Sequence, residues 1–330
     1  MKLGQVIRVS CGVLFILAGA VIYLVPNVRE ARTQNEVDVI VEEMQDLQDE
    51  YEKEVAKQET VQSAESDSNA VQQVEEISPY TYKHVYPELY ASLEAYNESL
   101  RTGQVVEDAW AYKNSSVDIS ELGSDAIGYI EIPDMKVRLP LYLGSSEENL
   151  AKGAAVVNGT SMPIGGESTN CVIAGHRGWR GSAYFQFIEN MGIGSKVYIQ
   201  TPWQRMVYQT VDVRIVDPSD TDNILIQEGR DLITLVSCHP YVLGGGPERY
   251  LVYCERITEE EEVANTDAKP EEQKVDAEKP QTHTDANLSQ KPKEEDSLLV
   301  WETRLRKYVP PLTFLICGLL IFFRTFRRKK

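Results

Sequence analysis

The sequence predicts a mainly β protein: an eight-stranded barrel with N-terminal helices, flanked by two membrane segments. Three observations carry that reading. Eight short apolar runs with turn residues between them fall within residues 127–257, the rhythm of a compact all-β domain. An apolar run near the N-terminus has the length of about 20 residues that crosses a bilayer core, and a shorter one lies near the C-terminus. Residues 58–78 and 258–296 are polar, acidic and poor in large apolar side chains, which suits spacers better than packed structure.

Taken in order, the first run extends from Val6 to Val25 and carries Arg8 near its edge. Ala18, Gly19 and Ala20 form the small-residue triplet of a cleavable signal peptide. Apolar residues nevertheless continue to Val25, which favours an uncleaved anchor over residues 1–28. Between about Gln34 and Lys57, Val37, Ile40, Val41, Met44, Leu47, Tyr51 and Val55 recur at three- and four-residue steps, the stripe of an amphipathic helix. With the loose spacer that follows, it forms an acidic stalk over residues 29–78. Residues 79–126 hold a second helix, about Leu89 to Leu100, and the segment that leads from it into the barrel.

The barrel occupies residues 127–257, with helical inserts expected at Glu147–Lys152 and Ala183–Asn190. Residues 258–300 read as a disordered acidic linker, and 301–330 as a second anchor in which Val309 to Phe323 precede Arg324, Arg327, Arg328, Lys329 and Lys330. Basic residues at both ends place both termini in the cytoplasm and the domain outside, in contact with membrane lipid at its anchors. A sorting tail is the alternative for the last run. It would need an LPxTG-like pentapeptide before it, and none occurs between residues 258 and 309.

Composition narrows the function. Thirty-three Lys and Arg against 51 Asp and Glu give a net charge of −18, which argues against a nucleic-acid partner. Much of that acidity is in the flanks, with 15 acidic against 3 basic residues in 30–78 and 13 against 5 in 258–296. It therefore describes stalk and linker rather than a substrate. Outside the membrane runs only Cys171, Cys238 and Cys254 remain, an odd number for an oxidising exterior. At least one thiol is left free there, and Cys171 and Cys254 sit in apolar strands where burial is the usual outcome.

Three residues end up at or near strand ends: His176 in CVIAGHRG, Cys238 in LITLVSCHPY and Arg249 in GPERYLVYCER. A thiolate attacks a carbonyl, an imidazole manages the proton, and a guanidinium stabilises an oxyanion. Singly, each is better explained as packing or as a solvated charge.

Together with their neighbours, these strings resemble the sortase family of cysteine transpeptidases. Thr234, Leu235, Val236, Ser237 and Cys238 match its TLxTC motif, Ala174 to Gly178 its histidine string, and Arg249 its eighth-strand arginine. Tyr96 to Trp110, with Asp108 and Trp110 at the acidic and aromatic positions, is similar to the lid of the pilin-polymerising class C members. The resemblance implies a sortase-like barrel in which Cys238, His176 and Arg249 are catalytic and Thr234 and Ser237 position substrate. It also implies a lid aspartate paired with the arginine and an aromatic ring over the cysteine.

By the same resemblance, the substrate is an LPxTG-like surface or pilin protein cleaved between Thr and Gly, and the acceptor is a pilin lysine amine. The enzyme would work without cofactor or metal, as a monomeric catalytic domain on a Gram-positive cell. A housekeeping sortase using a cell-wall precursor amine, and a non-catalytic membrane-tethered scaffold, are the rivals. A papain-like protease would place its histidine after its cysteine.

Departures are visible. Ser237 stands for the usual threonine and Ala109 for the lid proline. His239, the strand neighbour of Cys238, should point to the opposite face and make a poor base. Asp217, Asp220 and Asp222 lack calcium-loop spacing and read as a polar turn. His84 and His283 have no ligand partner nearby in sequence.

Overall fold

The computed structural model describes residues 3–65, 85–104, 106, 108–179, 182–242, 245–258 and 295–327. The chain divides into two compact units, one of residues 33–177 with 183–290, the other of residues 1–32, 178–182 and 291–330. The spacer after residue 65, the linker up to residue 294, His84 and His283 lie outside the described residues.

The larger unit is the expected mainly β barrel. Its strands are β1 (Ala126–Ile132), β2 (Val137–Leu143), β3 (Ala154–Val156), β4 (Thr169–Ala174), β5 (Lys196–Gln200), β6 (Arg205–Val216), β7 (Asp231–His239) and β8 (Glu248–Ile257). They close in the order β1-β2-β3-β4-β7-β8-β6-β5. Most neighbours are antiparallel, but β2 and β3, and again β4 and β7, run parallel. Strands paired on both sides and covered on both faces need continuous apolar runs, and Val172, Ile173, Leu232, Ile233 and Leu235 of the β4–β7 pair are all buried.

Helix α1 runs unbroken from Leu3 to Glu65, so the expected anchor and stalk are one element. Helix formers such as Glu, Gln, Ala and Lys dominate the stretch after the apolar run, and they carry the helix into what was read as loose spacer from residue 58. Val37, Ile40 and Met44 are buried, and Ile40 and Met44 pack with Ala126, Tyr142, Leu150 and Ala155. Around them Glu36 accepts from the Tyr142 hydroxyl, and Asp38 lies 3.6 Å from Arg138. Helix α2 (Pro87–Arg101) buries Leu89, Tyr90, Leu93 and Asn97. Asn97 Oδ1 accepts from the Met162 N–H at 2.7 Å.

Helix α3 (Glu147–Lys152) matches its expected position, and the Ser146 hydroxyl caps it by accepting from Asn149 N–H. The second insert differs. A strand, Ser182–Tyr184, and a single 3-10 turn, Ile188–Asn190, stand where a helix was expected at Ala183–Asn190.

The smaller unit contains the start of α1 and helix α4 (Glu295–Arg327). Their rings meet at Phe15–Phe314, 5.6 Å between centroids, and at Tyr23–Tyr308, 6.2 Å. Among the described residues one helix stretch, Val6–Asp46, is long and apolar enough to cross a membrane, with a mean hydropathy of 2.3 in its most apolar window. Tyr308–Arg324 is a shorter apolar stretch.

Candidate active site

The parallel pairing of β4 with β7 sets the first half of the site. Ala174 is opposite Val236, and the Gly175 N–H donates to the Val236 carbonyl at 3.1 Å. Continuing that register, His176 comes level with Cys238. The antiparallel pairing of β7 with β8 sets the second half, because Cys238 and Arg249 are direct Cα partners. Directly opposed residues project to the same face. Cys238 and Arg249 thus face one another on adjoining strands, and His176 lies two residues past the end of the strand that flanks Cys238 on its other side.

Local chemistry holds that arrangement. A Cβ on Gly175 would lie 2.6 Å from the Phe185 ring, so only glycine lets the fully buried Phe185 pass beneath the turn, where its N–H donates to the His176 carbonyl at 3.0 Å. On the return, a Cβ on Gly246 would meet the His239 carbonyl at 1.9 Å, which explains a glycine just before β8. Thr234 and Ser237 are both buried. Thr234 Oγ1 donates to Asn170 Oδ1 at 2.8 Å and Ser237 Oγ to the Gly175 carbonyl at 2.8 Å. Their hydroxyls are engaged in tying β7 to β4, and Ser237 grips the residue before His176.

Burial separates the three thiols of the larger unit. Cys171 and Cys254 are buried, and desolvation pushes the Cys254 thiol up to about 12 and that of Cys171 higher still. Almost no thiolate forms at either at neutral pH. Cys238 is half-buried at the rim. Burial also pushes the His176 imidazole below its ordinary value of 6.5, while the negative charge of Glu147 pulls it back up. His176 is consequently neutral at pH 7 and able to take a proton.

Two outcomes follow from that balance. Glu147→Gln removes the opposing charge, so the His176 pKa falls further, as read by its ring-proton NMR titration; an upward or absent change would refute the assignment. Because folding disfavours the imidazolium, the His176 contribution to stability is complete above pH 6.5 and is lost as pH falls below it.

The lid sits on the face to which Cys238 and Arg249 project. Ala109 is buried against Val157, Val172, Val236, Leu251 and Tyr253, with Val106 and Trp110 packed beside it. Trp110 Nε1 donates to the Pro218 carbonyl at 2.6 Å, and its ring lies 5.4 Å from the Arg249 guanidinium carbon. Asp108 is exposed with φ 50°, and its carbonyl closes a turn by accepting from Ala111 N–H at 3.0 Å.

That arrangement differs from what the resemblance implied. Among the described residues Asp108 forms no ion pair with Arg249, and the aromatic ring rests on the guanidinium. The carboxylate within reach of the Arg249 field is Asp217, held below its ordinary range by the Ser219 hydroxyl and N–H and then by Arg249. Asp217 thus serves a turn whose next residue, Pro218, fastens the lid.

Sequence reasoning missed a polar cluster on the other face of β7. Arg177 Nη1 donates to the Cys238 carbonyl at 3.0 Å and lies 3.3 Å from His239 Nδ1. Its Nη2 pairs with Glu189 Oε1 at 2.5 Å, and His239 Nδ1 lies 3.2 Å from the same oxygen. The His239 ring is 5.7 Å from that of Tyr250. His239 does face away from Cys238, as strand alternation requires. Only the His176–Arg177 dipeptide hinted at this cluster.

A half-exposed thiol, a neutral imidazole and a guanidinium on adjoining strand ends of a closed barrel make the kind of site that cysteine acyl transfer uses. A family model for the sortase domain matches residues 130–257. Sortase D of Bacillus subtilis is 29% identical over 147 residues, covering 44% of this chain and 71% of that protein. Sortase A of Bacillus anthracis is 31% identical over 125 residues, covering 38% of this chain and 56% of that protein. Among solved structures, sortase C-1 from Streptococcus pneumoniae is 33% identical with a TM-score of 0.49, covering 54% of this chain and 92% of that one. The chain belongs to the sortase family and is a cysteine transpeptidase.

Proposed function

We propose that this sortase polymerises pilins, with Cys238, His176 and Arg249 as its catalytic residues. The observation that carries the reading is the convergence of the three, Cys238 paired with Arg249 across β7 and β8 and His176 just past the end of β4 beside β7. Cys238 passes its thiol proton to His176 and attacks the Thr–Gly carbonyl of an LPxTG-like signal, forming the S–C bond. The C–N bond breaks as His176 gives its proton to the departing glycine amine. An incoming pilin lysine amine then forms a new C–N bond as His176 takes its proton, and the S–C bond breaks as His176 returns that proton to the Cys238 sulfur. Arg249 holds the carbonyl oxygen as negative charge develops there. Thr234 and Ser237 act on substrate position through β4 and His176 rather than by contact.

Two features favour the pilin acceptor over a cell-wall precursor amine. One is the lid segment packed on the catalytic face, and the other is the apolar helix α4. In this reading residues 1–28 and 301–330 are anchors, both termini are cytoplasmic, and 127–257 is the catalytic barrel outside the membrane. Incubating the protein with an LPxTG peptide and either a pilin-lysine peptide or a wall-precursor peptide tests it. A thioacyl adduct on Cys238 and a product joined through lysine are expected, whereas faster joining to the precursor would make it a housekeeping sortase.

The lid reading has its own test. Trp110→Ala removes both the Pro218 hydrogen bond and the ring over Arg249, so alkylation of Cys238 should quicken by about tenfold, the scale of a lost contact of 1–2 kcal/mol. Asp108→Ala should change it less. An unaltered rate in Trp110→Ala would show that the segment does not restrict access.

A further inference from the structure

We propose that Arg177 is a positioning residue for the nucleophile, fixing the terminal peptide of β7 from the face opposite the thiol. The inference rests on Cys238 being that nucleophile.

Parallel strands exchange hydrogen bonds at every second residue on a given side. Since Val236 C=O accepts from Gly175 N–H, the next carbonyl on that side of β7 is that of Cys238, and its donor in a continuing ladder would be the N–H of residue 177. The pairing stops at Ala174. The Cys238 carbonyl would then end the strand without its ladder partner. Arg177 supplies the missing donor with its side chain, at 3.0 Å.

The guanidinium is built in rather than draped over the surface, because its side chain is only 3% exposed. A buried cation needs a countercharge and further partners. Glu189 provides the first, with an Nη2–Oε1 approach of 2.5 Å. His239 Nδ1, 3.3 Å from Nη1, and the Tyr250 ring, 5.9 Å from the guanidinium carbon, lie beside it. His239 is the residue immediately after Cys238, so one guanidinium holds both ends of the peptide that follows the thiol. None of these groups projects to the face of Cys238 and Arg249. Arg177 therefore acts on the reaction through the backbone and has no contact with substrate.

A merely structural arginine and a positioning one differ in what their loss does. Arg177→Ala and Arg177→Lys are to be compared with the wild-type chain for melting temperature, kcat and KM on an LPxTG peptide, with and without added guanidinium ion. The expected result is a fall in kcat of about 10- to 100-fold in Arg177→Ala, the cost of a misplaced reacting group, with KM within about threefold. Guanidinium should restore part of the loss, and Arg177→Lys should be intermediate.

Wild-type kcat in Arg177→Ala overturns the proposal. So does a loss that follows melting temperature and is not rescued by guanidinium. If the alanine variant does not fold, full kcat in a folded Arg177→Lys overturns it equally, and a kcat loss at unchanged KM supports it. Alkylation of wild-type Cys238 separates the two levels: activity surviving alkylation defeats the nucleophile assignment itself, whereas activity lost on alkylation but indifferent to Arg177 defeats only the positioning role.

Discussion

Cys238→Ala lowers transpeptidation by about 10³-fold or more, the usual consequence of deleting a covalent nucleophile, while the barrel stays folded. The side chain is small and half-exposed, so truncation opens no large core cavity. No other described thiol of the larger unit can substitute. Cys171 and Cys254 are buried within strands, with burial holding both protonated. Fragment release from an LPxTG peptide, followed by chromatography, reads the loss, and mass spectrometry of the wild-type and variant chains reads the thioacyl adduct. Retained cleavage in the alanine variant would move the nucleophile elsewhere and remove the basis of the proposed mechanism. Retained binding of a partner with no cleavage by either form would instead favour a scaffold.

Arg249→Lys separates charge from shape. Lysine keeps the positive charge near the Cys238 carbonyl chemistry but loses the planar, multi-donor head. Deleting one oxyanion donor costs about 10²-fold or more in kcat, and a similar fall in kcat/KM is expected here. The same substitution weakens the stacking on Trp110, 5.4 Å from the guanidinium carbon. Cys238 should therefore react faster with an alkylating agent even as catalysis slows. That opposite movement is the diagnostic outcome. A variant with wild-type kcat/KM would show that Arg249 serves the lid alone, and one with slower alkylation would show that the ring does not lean on it.

How much of this was readable beforehand depended on whether the cause was local. The barrel strands announced themselves because each is a run of β-branched and apolar residues between turn formers, as in CVIAG and DLITLVSC. His176, Cys238 and Arg249 were legible from their neighbouring strings. Ala183–Asn190 was misread because Tyr184, Phe185 and Ile188 show helical spacing over too few residues to distinguish a helix from a strand and turn. What decides the segment is non-local: Phe185 is pinned under Gly175 and bonded to the His176 carbonyl.

The lid contacts were hidden for a similar reason. Whether Asp108 or Trp110 meets Arg249 depends on the turn at 108–111 and on where the Pro218 carbonyl points, neither of which has a sequence signature. Arg177 was invisible because its partner is a backbone carbonyl 61 residues away. The buried hydroxyls of Thr234 and Ser237 follow from the parallel pairing of β4 with β7, which a motif cannot reveal.

That parallel pairing has a consequence for biosynthesis. Its two strands are separated by more than fifty residues of intervening chain, and closing so long a loop is entropically costly before any contact repays it. As the chain emerges, β4 is complete long before β7 exists, so its edge waits open while the intervening segments are made. The sulfur of Cys238 therefore reaches the neighbourhood of the His176 imidazole only after β7 has been made and has found β4.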